Sequence, residues 1–256
     1  MLVLLSPAKT MNMSLVEQDI PHTTPLYAAE AEFLAERMQK YSVIELARLL
    51  KVSDRLAEES FQRYRRFGSL SSPRKQAIIA YDGTVFKAMN TASFTDADFE
   101  YAQEHVRIVS TLYGSVRPLD LIQAYRIAYT LKLDKVEGKN LYDYWRPKLT
   151  RLLIEDVRKA GGILVNLASL DILGALRMDQ INEEVRVITP EFQEFRNGKW
   201  ETVRTYAKMA RGMMTGYIIR DRIEDPEDLK SFSWKGFAFD TDLSDERHYI
   251  FTRERY

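Results

Sequence analysis

The sequence predicts a mixed α/β fold, with elements of α+β, in which a mixed sheet flanked by helices forms one compact domain over residues 1–256. Three observations lead there. Short apolar runs that stop at polar clusters read as buried strands, and segments with apolar residues at helical spacing lie between them. An Asn-Gly hairpin signal and a paired run near the end of the sequence show that the sheet is not wholly parallel.

Taken in order, Leu2-Val3-Leu4-Leu5 is a strand that runs into Ser6-Pro7-Ala8-Lys9-Thr10. Ser42-Val43-Ile44-Glu45 is a capping box for a helix over about 42–50. Lys51 and Val52 make a tight connection, and Ser53 or Asp54 caps a second helix with Leu56, Ala57, Ser60, Phe61 and Tyr64 on one face. Gln76 to Tyr81 reads as a strand ending at Asp82-Gly83, and Thr95 caps a helix to about His105. Val106 to Leu112 is a strand that meets Tyr113-Gly114-Ser115. Asn140 to Ala160 is helical in pattern, with Pro147 placing the start of its regular part near Arg146. Ile163 to Leu167 is a strand ending at Ala168-Ser169, and Val185–Phe195 with Trp200–Val203 forms a hairpin around Asn197-Gly198. Thr205 to about Arg222 is a helix, Asp225-Pro226 caps a short one, and Phe237–Phe239 pairs with Tyr249–Phe251.

Strand ends in an open sheet converge on one edge, where polar groups held by a rigid core can meet a ligand. The composition restricts what that ligand is. Lys and Arg number 37 and Asp and Glu 37, so a polyanion must be met by a local patch and not by the overall field. Cysteine is absent, which excludes disulfides, thiolate chemistry and cysteine-ligated metals and points to the cytoplasm. The start lacks a signal-peptide pattern, and no apolar run approaches the ~20 residues of a membrane span. His22, His105 and His248 are scattered, so neither a metal site nor a cofactor is legible.

Several constellations carry chemistry. On the 205–222 helix, Arg204, Lys208, Arg211, Thr215 and Arg222 cluster on one side, opposite Tyr206, Met209, Ala210, Met213 and Tyr217. Gly212 within it requires a close approach by another backbone or a ligand. Lys51, Arg55, Arg63, Arg65, Arg66, Arg74 and Lys75 stand against Asp54, Glu58 and Glu59, the strongest local basic excess. Its helix, hairpin and helix over about 42–66 have the outline of a helix-hairpin-helix element, with Lys51 and Ser53 in place of the usual glycines; a plain pair of packed helices is the other reading. Ser6-Pro7-Ala8-Lys9 spells S-x-x-K, but S-D-N and K-T-G are absent, so Lys9 is read as an anion contact and no catalytic residue is assigned. Asp82-Gly83-Thr84 matches the end of D-x-D-G-T with Ala80 at the nucleophile's place. Arg117 and Asp120, followed by Tyr125-Arg126, form either a phosphate fork or a structural ion pair.

Seven blocks in order, LLSPAKT, LLKVSDRLA, QAIIAYDGTVF, STLYGSVRPLDLIQAYR, LYDYW, VNLAS and YAKMARGMM, together with GFAFD, resemble the YaaA peroxide-stress protein family of bacteria. The resemblance implies a cytoplasmic protein of the hydrogen peroxide response, associated with iron homeostasis and with DNA binding through a basic cleft and a helix-hairpin-helix-like element. The family's polar positions fall on Ser6, Lys9, Asp82, Arg117, Asp120, Tyr125, Arg126, Asn166, Ser169, Lys208 and Arg211. Two departures stand out: Ala128 replaces a glutamate, and Leu170-Asp171-Ile172 replaces an acidic and aromatic pair.

The reading that follows is a non-catalytic, monomeric DNA-binding stress protein with no membrane partner. Lys9, Arg117, Arg126, Lys208 and Arg211 line its cleft, Lys51, Ser53 and Arg55 meet phosphate, and Tyr113 or Tyr125 stacks on distorted or single-stranded sites. Ser6, Asp82, Asp120, Asn166 and Ser169 complete the polar lining. The alternative is an enzyme acting on a small phosphorylated or anionic ligand in the same cleft.

Overall fold

Four buried residues, Leu2–Leu5 (β1), form a central strand of the sheet. The computed structural model describes residues 1–15 and 19–254. β1 runs parallel to Val106–Ser110 (β3) on one side and to Ile163–Asn166 (β6) on the other, with Val3 opposite both Val106 and Val165. Strands flanked on both sides are apolar throughout, which is why these runs do not alternate. β6 continues in parallel to Arg186–Arg196 (β7), and β7 to His248–Glu254 (β10). Antiparallel partners close the pattern: Gly114–Val116 (β4) on β3, Lys199–Glu201 (β8) on β7 and Ala238–Phe239 (β9) on β10. The result is an eight-stranded mixed sheet with helices packed around it, the α/β class that the apolar runs predict.

The local signals place most elements. Ser42 and Glu45 form a reciprocal capping box on Val43–Leu50, and Asn197 and Gly198, with φ of 51° and 79°, make the left-handed turn between Arg196 and Lys199. Thr95 and Asp98 cap Asp96–His105, and Asp98 is also bonded to Arg222 at 2.8 Å. Thr95→Ala is therefore expected to cost about 1 kcal/mol of stability, measured by urea denaturation.

Three expectations need correction. Gln76 to Tyr81 is not a strand: only Lys75–Gln76 (β2) is extended, paired with Leu121–Ile122 (β5), and Ala77–Ala80 is a helical turn. A short apolar run suits either period, and here the amides of Ala77 and Ile78 bond to the Asp120 and Pro118 carbonyls, which bends the chain out of the sheet. Pro147 does not delay its helix, which runs over Leu141–Lys159. Asn140 caps it through the Asp143 amide, and the fully buried Trp145 donates from Nε1 to the Thr111 carbonyl at 2.8 Å. This packing offsets the backbone bond that proline removes.

The third correction concerns Arg204–Asp221. Ala207, Ala210, Gly212, Met214, Thr215, Gly216, Ile218 and Ile219 are buried, while Tyr206, Met209, Met213 and Tyr217 are only partly covered. Thr215, placed with the basic residues by helical geometry, is wholly buried and bonds back to the Arg211 carbonyl. The helix is covered on two sides, by Thr84–Met89 and by β7, so one apolar stripe does not describe it. Gly212 has the close approach that its position requires: a Cβ there would lie 2.1 Å from the Val85 carbonyl oxygen.

Candidate functional site

The carboxyl ends of β1, β3, β6 and the parallel part of β7 meet along one edge, and hydroxyl and amide side chains knit it together. Ser6, just past β1, has its Oγ 3.0 Å from that of Ser169 and accepts the Ser169 amide at 2.8 Å. Asn166, at the end of β6, accepts the Ala168 amide and turns its side-chain amide toward Thr189 of β7. Thr10 donates to the Asp82 carbonyl and accepts the Asp82 amide on its own carbonyl, so the loop after β1 is zipped to Asp82-Gly83. Gly83 is needed for that approach, because a Cβ would lie 2.8 Å from the Ala8 methyl. Asp82 itself pairs with Lys87 at 3.3 Å.

Arg117 and Asp120, open between two readings in the sequence, are a structural pair. Asp120 is fully buried, accepts the Arg117 amide at 2.8 Å and its guanidinium at 3.2 Å, and takes the Thr23 hydroxyl at 2.6 Å. Its carboxylate takes three hydrogen bonds, and one terminal nitrogen of Arg117 is spent on it while the rest of that side chain stays partly exposed.

Tyr113 and Tyr125 do not face a ligand. They are 4% and 6% exposed, too little to stack on a base. The Tyr125 hydroxyl is 2.9 Å from that of Tyr81 and 2.7 Å from Ser110 Oγ, and the Tyr113 hydroxyl accepts the Gln123 amide. Burial pushes the Tyr125 phenol up to about 12, with its bonds to Ser110 and Tyr81 opposing, and raises Tyr81 and Tyr113 as well. The cluster is a neutral hydrogen-bonded core that carries the loop holding Arg126.

Arg126 leaves that loop toward the edge. One of its terminal nitrogens donates to the Lys9 carbonyl at 3.1 Å, and the hydroxyl of buried Tyr64 holds its own carbonyl at 2.8 Å. Its Nε is buried without a partner. Burial, then the neighbouring Arg63, pulls its pKa below the ordinary arginine value, with Glu59 opposing. Arg63, which the sequence placed only in a general basic excess, lies near enough for its charge to be felt at Arg126 and is itself paired with Glu59.

Arg211 shows the same signature. Its Nε is buried and unpartnered, and burial lowers its pKa, with Glu191 of β7 pulling the other way. Lys9 and Lys208 are exposed. Among the described residues none of Lys9, Arg126, Lys208 and Arg211 forms an ion pair, whereas Arg107, Arg117, Arg146 and Arg222 all do. Cations without a carboxylate suit an anion that carries several acceptor oxygens, and of these four Arg126 and Lys9 are brought together by the bond between them. Among the described residues no group of three or more His, Asp or Glu side chains is placed to hold a metal ion.

The helical pair lies next to this edge at one end only. Its second helix, Asp54–Arg65, brings Tyr64 and Arg63 to Arg126, while its start lies eleven residues away, or about 16 Å along the axis. Lys51 adopts the left-handed conformation, φ 53°, where glycine is easiest. Ser53 occupies the cap position but makes no capping bond, and Lys51, Ser53 and Arg55 are exposed. No helix among the described residues is long and apolar enough to cross a membrane.

Comparison with known proteins agrees with the quoted blocks. A family model described as "Peroxide stress protein YaaA" matches residues 1–243. A UPF0246 protein of Bacteroides thetaiotaomicron is 47% identical over 252 residues, covering 98% of each chain. Others from Parabacteroides distasonis and Clostridium beijerinckii are 44% and 38% identical, over at least 98% of both chains. The end-to-end coverage makes the conclusion plain: this chain belongs to the YaaA peroxide stress protein family.

Proposed function

We propose that the chain is a cytoplasmic stress protein that grips the phosphate backbone of DNA along the sheet edge and so helps to limit iron-driven damage there. The observation that supports this reading is the pair of arginines, Arg126 and Arg211, whose Nε atoms are buried without a partner, together with the exposed Lys9, whose carbonyl Arg126 holds, and the exposed Lys208. Phosphate contacts give position and affinity without reading sequence, and they need no excess of overall charge when a patch is local. With Tyr113 and Tyr125 buried, base stacking is not part of the interaction, which favours a duplex backbone over a splayed single strand. The exposed Lys51, Ser53 and Arg55 add a second phosphate contact at the far end of the helical pair.

The test is duplex binding across a salt series with Lys9→Glu combined with Lys208→Glu, both solvent-facing and so neutral for folding. Wild-type affinity should fall steeply with salt, and the variant should lose about two units of log–log slope and at least tenfold in affinity at low salt. Equal slopes for the two proteins would refute the assignment.

A second reading rests on Arg211. A largely covered guanidinium with an orphaned Nε suits a small anion better than a broad duplex, and points to an enzyme for a small phosphorylated ligand. Pyrophosphate binding that is lost in Arg211→Gln, with no duplex binding by wild type, would establish that reading in place of the first.

A further inference from the structure

The polar edge carries one side chain that a phosphate cannot use. Leu170 follows Ser169 directly and is 86% exposed, whereas Leu164 and Val165, in the strand that leads to it, are wholly buried. It opens the helical turn Leu170–Leu173 just past the carboxyl end of β6. A single leucine on an open surface is ordinary, but this one is rigidly held and stands beside residues that the proposed function uses.

Several bonds fix the turn. Ser169 donates its amide to Ser6 Oγ at 2.8 Å, and the Ile172 amide bonds back to the Ser169 carbonyl. The Tyr142 hydroxyl donates to the Asp171 carbonyl at 2.7 Å, and Arg146 donates from Nε and a terminal nitrogen to the Gly174 carbonyl at 3.0 and 2.9 Å. Ile172, 7% exposed, holds the inner side. Gly174 lies so close to Tyr142 that a Cβ would stand 2.9 Å from its ring.

The same contacts tie the turn to the cations. Ser6 is three residues before Lys9, at most about 11 Å of chain, and the Lys9 carbonyl is bonded to Arg126. Tyr142 is stacked at 4.7 Å on Tyr129, which lies three residues after Arg126.

Resting on the reading of this edge as a duplex site, we propose that Leu170 is a wedge: while Lys9 and Arg126 hold the phosphate backbone, its side chain enters the minor groove, parts one base step and kinks the duplex toward the major groove. Leucine is among the side chains that can do this, and an aliphatic wedge needs no stacking platform, in keeping with the burial of Tyr113 and Tyr125. Parting a step costs energy, and a side chain on a pinned turn loses little freedom as it inserts. Asp171, exposed next to Leu170, repels phosphate, so backbone contact stays with the cations and the turn meets the groove.

The test is a duplex with 2-aminopurine in place of adenine at several TA steps, which unstack easily; the base brightens when it leaves the stack. Wild type at low salt should raise the fluorescence about twofold or more, and Leu170→Met, still an apolar wedge, should keep the rise. Leu170→Ala should lose most of it while melting like wild type and keeping the wild-type salt slope, because no phosphate contact is removed. Leu170→Gln, polar and of similar length, should lose it as well. Duplex binding without a rise, or an equal rise with Leu170→Ala and Leu170→Gln, would overturn the wedge and leave the phosphate grip standing. Failure of wild type to bind the duplex would overturn both.

Discussion

Gly212→Ala is expected to destabilise the protein by about 3 kcal/mol or more, although alanine is the better helix former by ~1 kcal/mol. The reason is contact and not propensity. The added methyl would stand 2.1 Å from the Val85 carbonyl oxygen and 2.9 Å from the Ala88 methyl, and the carbonyl is backbone within a helix that cannot yield locally. Relief requires sliding Arg204–Asp221 away from Thr84–Met89, which opens the interface at Gly216, where a Cβ would lie 2.9 Å from the Met89 carbonyl. Chemical denaturation gives the magnitude. A stability equal to or above wild type would mean that the two helices do not touch at this point. The same displacement would move Lys208 and Arg211, so if the proposed function holds, duplex binding should weaken even where the variant remains folded.

Glu194→Ala should cost about 3–5 kcal/mol, the range for removing one partner of a buried ionic cluster. Glu194 is wholly buried on β7, with Arg196 Nε at 2.5 Å on one oxygen and the Arg253 guanidinium of neighbouring β10 on the other. Its loss leaves Arg253, which is also stacked on Tyr206 and Phe237, as an uncompensated cation. Glu194→Gln separates charge from shape and carries a pH signature. Burial alone would raise the Glu194 pKa, but the bonds from Arg253 and Arg196 outweigh it and hold the group below the ordinary 4.5. A carboxylate depressed in the folded state contributes stability that is complete above its unfolded value and is lost as pH falls through its folded value. The gap in stability between wild type and Glu194→Gln should therefore be full at neutral pH and should shrink below about pH 4.5. A gap that is constant down to pH 2 would show that the charge on Glu194 is not what the cluster uses.

How much of this was legible in the sequence depended on the range of the interaction that decided each point. Capping boxes at Ser42 and Thr95 and the Asn197-Gly198 turn are short-range signals, and they placed their elements directly. Ala28–Met38 begins without a side-chain cap, and Thr84–Met89 likewise, so neither announces itself. Ala77–Ala80 was misread because its geometry is set by carbonyls at Pro118 and Asp120, about forty residues away. The site divides in the same way. Strand ends put Ser6, Asn166 and Ser169 at one edge, since parallel strands bring their termini together. Which arginines are paired is a tertiary fact: Arg117 and Arg126 look alike in sequence, yet one forms an ion pair with Asp120 and the other has a buried Nε without a partner. The burial of Tyr113 and Tyr125 was hidden for the same reason, since a tyrosine beside a strand end suits a hydroxyl network as well as a stacking platform.

The central place of β1 bears on how the protein is made. Val3 finds its partners at Val106 and Val165, about 100 and about 160 residues further along, so Leu2–Leu5 emerges from the ribosome long before either neighbour exists. At ordinary translation speeds the second partner arrives roughly 8 to 30 s later. For that interval a wholly apolar strand with two open edges is a target for holdases and for pairing with other nascent chains, a hazard that ends only when β6 closes the sheet around it.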